Sequence, residues 1–153
     1  MEQKNELIQK TLEKIIGAKK NENWDQIILD SVERRLTWYK NSITELDLQG
    51  SDVKRAYTLL LVEYLGLKPK EIPIVKEDSR KIVWRSYNWC PVLEACKRGG
   101  FDTKEVCKKG WERSVQVLIE KINPNLRFSR NYSKIRPYTE FCEEIIELKN
   151  SNR

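Results

Sequence analysis

The first 66 residues repeat their apolar side chains at helical spacing. That spacing gives a helix one apolar stripe, which packs against the rest of the protein. It occurs in three stretches: residues 2–20, 23–47 and 51–65. Ser51 is a typical N-cap residue, and Gly66 with Pro69 soon after it is typical of a helix end. We therefore predict that residues 1–66 form a helical cap of three helices.

The spacing changes beyond Pro69. Short runs of β-type residues come in two pairs, with a turn inside each pair: residues 72–75 with 82–87, and 126–132 with 140–148. Two helical stretches lie between the pairs: residues 90–98 and 102–122. The order β-β-α-α-β-β over residues 72–148 predicts an antiparallel sheet with the helices on one face. The expected fold class is α+β, and residues 1–153 are expected to form a single domain.

The composition is that of a polar globular protein. The chain has 153 residues, enough for one domain with its own core, and 34% of them are charged. No apolar run is long enough to span a bilayer, so we expect no membrane partner. The N-terminal residues mix charges and lack the apolar core of a signal peptide. We therefore expect a cytoplasmic protein whose four cysteines are thiols or ligands and not disulfides.

The net charge of +6 arises after residue 50. A basic excess favours either an anionic small molecule or a nucleic acid. No nucleic-acid-binding motif accompanies the charge, and a solvated basic face is its commoner explanation. We therefore expect a small, anionic ligand and do not favour a nucleic-acid partner. The sequence leaves the oligomeric state, including a homodimer, open.

The chain contains no histidine. This excludes a Ser-His-Asp triad, a Cys-His dyad and any metal held by imidazole. Acid and base catalysis would have to come from Glu, Asp, Lys, Tyr or Cys.

All four cysteines lie between Trp84 and Cys142. Cys90 precedes Pro91, and proline favours the first turn of a helix, so Cys90 is expected at the N-cap. The positive end of the helix dipole favours a thiolate there, which predicts a nucleophile or a metal ligand. The alternative is a buried structural cysteine, and a lone Cys-Pro step fits that alternative more often.

A wider pattern resembles a known family. It consists of Cys90-Pro91-Val92-Leu93-Glu94-Ala95, Gly100, Cys107, Asn123-Pro124-Asn125-Leu126-Arg127-Phe128 and Cys142. The pattern resembles that of the L-2-amino-thiazoline-4-carboxylic acid hydrolase family, over about residues 84–148. A weaker resemblance, in cysteine placement and element order, is to the 4-vinyl-reductase-like small-molecule-binding domains. Cys96 matches no position of the hydrolase pattern, and we expect it to be a packing residue.

The resemblance implies that Cys90, Cys107 and Cys142 belong to one site. Three thiolates and a water molecule suit zinc or another thiophilic metal, which makes these cysteines the implied metal ligands. The implied reaction is hydrolysis of a small cyclic or amidine-like carboxylic acid, with Cys90 and Glu94 catalytic and Glu94 as the proton shuttle. An exposed helix glutamate is the alternative for Glu94.

Further residues near this implied site are candidates for substrate binding. Arg85, Arg127 and Arg130 are expected in strands, where a guanidinium group binds a substrate carboxylate well. Trp89 is a candidate wall of an apolar pocket. Surface or core roles are the alternatives for each of them. The alternative function for the whole protein is a non-catalytic sensor or carrier of the 4-vinyl-reductase-like type, which binds a small molecule or a metal.

Overall fold

The computed structural model describes residues 2–150 of the chain. The N-terminal part contains α1 (Glu2–Asn21), α2 (Asp25–Ser42) and α3 (Asp52–Tyr57), which continues as a π-helical segment, Thr58–Tyr64. The Ser51 side chain caps α3, since its hydroxyl oxygen accepts the N–H of Lys54 at 3.4 Å. No helix within residues 2–150 is both long and apolar enough to cross a lipid bilayer.

The second part is a four-stranded sheet with helices. Its strands are β1 (Ile74–Glu77), β2 (Lys81–Ser86), β3 (Leu126–Arg130) and β4 (Cys142–Leu148). They lie in the order β1-β2-β4-β3, and every neighbouring pair is antiparallel. Between β2 and β3 come α4 (Pro91–Gly99) and α5 (Thr103–Val106), which continues through a π-helical segment (Cys107–Trp111) into α6 (Glu112–Ile119). The predicted α+β class with an antiparallel sheet is confirmed.

The predicted boundaries differ from the observed ones in two ways. The helices predicted over 51–65 and 102–122 each contain a π-helical segment, and the second ends at Ile119. The first strand begins at Ile74, whereas Ile72 lies before it, with its carbonyl oxygen accepting the Tyr57 hydroxyl at 2.6 Å. Apolar spacing reports which side of an element is buried, but not where its hydrogen bonding changes.

Two apolar clusters fill the interior. The first, here called the sheet cluster, joins one face of the sheet to α3, its π-helical extension and α6, with buried members that include Leu60, Trp84, Leu118 and Ile146. The second, called the α1–α4 cluster, joins α1, α4 and α5, with buried members that include Ile15, Ala95, Cys96 and Val106. Cys90 and Cys107 pack at the margin of the α1–α4 cluster.

Two glycines fix the end of α4. A Cβ atom on Gly99 would lie 2.6 Å from the Leu12 Cδ1 atom and 2.7 Å from the Phe101 ring, so any larger residue there would displace these two side chains. Gly100 follows with a φ of 73°, the left-handed conformation that ends many helices. The pair holds α4 against α1 and thereby positions Cys90 at the other end of α4.

Candidate functional site

One end of the inner sheet face is polar. Side chains alternate along a strand, and residues paired across two strands point to the same face of the sheet. The partners of Trp84 and Phe128, and the residues two positions away from them, therefore also face the helices. At this end the inward positions carry Ser86, Arg130, Cys142 and Glu144, with Ser86 opposite Cys142 and Arg130 opposite Glu144. We call these four residues the polar layer. They lie beside the sheet cluster, where a buried polar group is stable only with hydrogen-bond partners.

Glu144 is the centre of the polar layer. One carboxylate oxygen accepts the Ser86 hydroxyl at 2.5 Å, and the other accepts the Arg130 Nη2–H at 2.6 Å and Nε–H at 3.2 Å. The Trp84 indole N–H donates to the Ser86 hydroxyl oxygen at 3.1 Å. Glu144 is only 8% exposed. Both oxygens of this carboxylate are therefore committed to neighbours within the layer.

Arg130 is held as a largely buried cation, with a side chain that is 12% exposed. Burial is the largest single effect and lowers the pKa of Arg130, but Glu144, Cys107 and Tyr132 together more than offset it, so the pKa lies above its usual value. Its third nitrogen, Nη1, is shielded from solvent and has no hydrogen-bond partner among residues 2–150. Nη1 therefore has no hydrogen bond of good geometry, and the Tyr132 hydroxyl is its neighbour, since hydrogen bonding to Arg130 lowers the pKa of Tyr132 against the larger effect of burial.

Arg35 brings a second buried cation from α2. Its guanidinium lies over the Tyr64 ring, with the Cζ atom 4.7 Å from the ring centre, and the residue is 8% exposed. Burial lowers the pKa of Arg35 to about 10, and the charges of Arg34 and Arg130 act in the same direction. The Nε and Nη1 atoms are buried without a partner in the described chain. The charge of Glu144 acts in the opposite direction and raises the pKa of Arg35, as it does that of Arg130.

Both π-helical segments contribute to these surroundings. The first ends at Tyr64, which lies under Arg35, and the second begins at Cys107. Widened helical turns occur frequently at functional sites, because they are less stable than a regular α-helix and persist where they place a side chain usefully.

Cys90 occupies the predicted N-cap position of α4, but its thiolate is not favoured. The thiol makes no capping hydrogen bond. Burial raises the pKa of Cys90, and the nearby amides of Leu93 and Val92 and the charge of Arg136 lower it only in part. The expectation of a thiolate was therefore wrong, because desolvation in the interior exceeds the effect of the helix end.

The other thiols differ in their surroundings. Burial raises the pKa of both Cys96 and Cys107 to about 12, and Cys96 is 1% exposed within the α1–α4 cluster, as expected for a packing residue. Cys142 is partly exposed, and its sulfur accepts the Arg136 Nε–H at 3.3 Å and the Arg136 backbone N–H at 3.5 Å. Arg136 also donates to the Asn88 carbonyl oxygen at 2.6 Å, which links the loops on either side of the site.

Two cysteines of the implied site, Cys90 and Cys107, pack against the same apolar cluster. The pKa of Cys107 responds, after burial and the Arg130 charge, to its neighbours Cys90, Cys96 and Cys142. Within residues 2–150, however, no three His, Cys, Asp or Glu side chains are grouped so as to hold a metal ion. The nearest charges to Cys90 are guanidinium groups, which disfavour another cation. The metal ligands therefore stay a prediction.

The remaining predicted site residues lie elsewhere. Arg85 faces the outer side of the sheet, where it pairs with Glu143 at 3.2 Å and stacks on Phe141. Arg127 is exposed and donates to carbonyl oxygens at the opposite end of β3. Trp89 is 37% exposed, with Lys4 over its ring, and Glu94 pairs with Lys97 at 3.5 Å. Strand alternation explains why Arg85 faces outward, because it directly follows the inward-facing Trp84.

Sequence reasoning missed Arg35, Ser86 and Glu144, although the pattern contained a signal for each. Arg35 falls on the buried line of α2 that includes Ile27 and Ser31, one turn apart. Glu144 falls two residues before Ile146, and Ser86 two residues after Trp84, both inward positions of strands. A charged or polar residue at a position where the pattern predicts a buried apolar one therefore indicates a candidate functional residue.

No protein-family model, no curated protein and no solved structure matches the chain. The family resemblance of residues 84–148 therefore stays a prediction that rests on the quoted residues alone.

Proposed function

We propose that the protein is a non-catalytic binder of a small anionic molecule, a sensor or a carrier, with its site where the polar layer adjoins Cys90 and Cys107. The observation that carries the proposal is the buried Arg130 Nη1–H, which no group in residues 2–150 accepts. Leaving a charged donor buried and unpaired is costly, so such donors in native proteins usually serve a ligand, an ion or a water molecule.

The surroundings of Arg130 support a ligand of modest size. The Arg130 guanidinium lies against the Phe128 ring of the sheet cluster, with its Cζ atom 5.3 Å from the ring centre, and binding sites often combine apolar walls with a few buried polar groups. The guanidinium group is already oriented by Glu144, at 2.6 Å and 3.2 Å, so little ordering remains to be done on binding. An anion gains most at such a site, because it meets a fixed positive charge away from water.

A thermal-shift screen tests this function. Small carboxylic acids are compared with their neutral amides, at equal ionic strength, as additives that raise the unfolding temperature. We expect a subset of the acids to stabilise the protein in proportion to the logarithm of concentration, and the amides to have no effect. Arg130→Gln should lose this stabilisation, whereas the matched control Arg127→Gln should keep it, because Arg127 is exposed and lies at the far end of β3. A screen in which acids and amides act equally contradicts the proposal.

Hydrolysis of a small cyclic or amidine-like carboxylic acid is the second candidate. Its support is the resemblance and the position of Cys90 at the N-terminus of α4, facing the amides of Val92 and Leu93. Against it, the predicted proton shuttle Glu94 is paired with Lys97, and burial keeps Cys90 protonated. Chromatography of each stabilising acid after incubation separates the two functions: a binder returns it unchanged, whereas a hydrolase releases product and loses that activity in Cys90→Ser.

A further inference from the structure

We propose that the free edge of β3 is a pairing surface for β3 of a second copy of this chain, and that the Gln116 side chain blocks it. The inference goes beyond the proposed function and does not depend on it. It concerns how the chain avoids associating with itself through its sheet.

β3 is an edge strand, since it has β4 as its single neighbour in the sheet. Its Phe128 N–H points away from β4, toward Gln116. In an extended strand the N–H and C=O groups of every second residue point to the same side. The free edge therefore consists of backbone groups of Leu126, Phe128 and Arg130, and an edge of this kind can pair with a strand of another molecule.

Gln116 reaches this edge from α6. Its side-chain oxygen accepts the Phe128 N–H at 2.8 Å, and its Nε2–H donates to the Leu126 carbonyl oxygen, also at 2.8 Å. The same nitrogen donates to the Glu120 carboxylate at 2.7 Å, which orients the amide. One side-chain amide therefore takes a donor and an acceptor that an adjoining strand would otherwise use.

The opposite edge of the sheet is protected in a different way. β1 has only four residues, and its Lys76 and Glu77 are exposed. Short strands and charged side chains both discourage pairing at an edge. β3 instead has buried, apolar Leu126 and Phe128 on its inner face. Its protection comes from side chains that bind its backbone: Gln116, and the exposed Arg127, which also donates to the Leu126 carbonyl oxygen at 2.8 Å.

A second copy of β3 fits this edge because of the register that symmetry imposes. Two identical antiparallel strands pair about a two-fold axis, so each contact occurs twice. An axis at Phe128 lets the Phe128 N–H of each copy donate to the Phe128 carbonyl oxygen of the other. The same axis places Arg127 opposite Ser129 of the second copy. Both residues are exposed on the outer face, where no like charges then meet.

Gln116→Met tests the block. Methionine keeps the length and helix propensity of the side chain but has no amide. Sedimentation velocity of the full chain over a wide range of concentration should show a species of twice the wild-type mass, with association roughly tenfold or more tighter than in the wild type. Gln26→Met is the matched control, because the Gln26 amide also binds a carboxylate one turn on, that of Asp30 at 2.8 Å, but on the exposed face of α2. It should keep the wild-type mass.

Charges at Ser129 test the register. In the Gln116→Met background, Ser129→Glu would lie opposite Arg127 of the second copy, and Ser129→Lys would place like charges opposite each other. Two such pairs form in each dimer, so Ser129→Glu should tighten the dimer by roughly twofold to thirtyfold and Ser129→Lys should weaken it by a similar factor. Equal association of the two variants, or equal association in Gln26→Met, contradicts pairing through β3.

Amide hydrogen exchange of the wild type covers the case in which Gln116→Met does not fold. The Phe128 and Arg130 amides point to the same free edge, but Gln116 binds the first. We expect the Phe128 amide to exchange roughly tenfold more slowly than the Arg130 amide. Equal exchange of the two amides would mean that Gln116 does not block the edge. A folded Gln116→Met protein that keeps the wild-type mass at every concentration also overturns the inference.

Discussion

Glu144→Gln is the sharpest test of the polar layer. The substitution keeps the shape of the side chain, and its amide oxygen still accepts the Ser86 hydroxyl, but it removes the charge that compensates Arg130. The two side chains are 12% and 11% exposed, so solvent screens the pair little. Removing one partner of a buried pair costs about 3–5 kcal/mol, and we expect about 3 kcal/mol here because one hydrogen bond survives.

That loss is large for a chain of this size. In a domain of 150–250 residues, a loss of 1 kcal/mol in the free energy of unfolding lowers the unfolding temperature by about 2–4 °C. Glu144→Gln should therefore unfold at a temperature about 6–12 °C below that of the wild type. Urea denaturation at neutral pH measures the free energy, and calorimetry measures the temperature. Glu147→Gln is the control on the same strand, where the pair with Lys149 is exposed and should contribute less than about 1 kcal/mol.

A double variant separates charge from packing. Arg130→Met combined with Glu144→Leu removes both charges and keeps much of the volume, so it should recover most of the stability lost by Glu144→Gln alone. The reasoning is refuted if Glu144→Gln costs no more than Glu147→Gln, or if the double variant is as unstable as the two single losses added together. Either result would mean that the ion pair does not stabilise the fold as its geometry indicates.

Three other predictions concern the core. Cys96→Ala should lower the free energy of unfolding by about 1 kcal/mol in urea melts, the cost of a small core truncation. Burial raises the pKa of Cys96 and Cys107 to about 12, so the unfolded chain loses these thiol protons at a lower pH than the folded protein does. Each thiol should therefore lower the free energy of unfolding by about 1.4 kcal/mol per pH unit above about pH 9. Cys96→Ala should lose less stability between about pH 8 and pH 10 than the wild type. Tyr57→Phe should cost about 1–3 kcal/mol, because it leaves the buried Ile72 carbonyl oxygen without its donor. A loss below the error of the urea melt for Tyr57→Phe would mean that water replaces the hydroxyl.

The order and type of the elements were within reach of the sequence. Helical spacing before Gly66 and alternation after Pro69 correspond to physical periods of 3.6 and 2 residues, which the burial of one face imposes on any amphipathic element. The same alternation, applied strictly, places Arg130 and Glu144 on the inner face and Arg85 on the outer one. Arg85 was expected near the cysteines because its position along β2 was considered without its side of the sheet.

Other features depend on interactions that no local pattern contains. Whether the Cys90 thiol ionises is decided by how much protein surrounds it, and burial outweighs the helix end that the Cys-Pro step correctly predicted. Arg35 is a related case. Its place on the buried line of α2 is visible in the sequence, but the absence of a partner within residues 2–150 follows only from how its side chain packs over Tyr64.

The π-helical segment Cys107–Trp111 has a consequence for how this protein tolerates change. The helical stretch it interrupts contacts both apolar clusters: Val106 before it lies in the α1–α4 cluster, and Val115 and Leu118 after it lie in the sheet cluster. A π-helical turn holds one residue more than a regular turn, because its hydrogen bonds join residues i and i+5 and not i and i+4. Deleting one residue here would therefore let the stretch close into a regular α-helix with both sets of side chains still in their clusters, whereas deleting a second residue would rotate one set by about 100°. Exchanges of the exposed Lys108 or Lys109 leave that phase intact. The segment is therefore the one place in this helical stretch where related chains should differ in length by one residue.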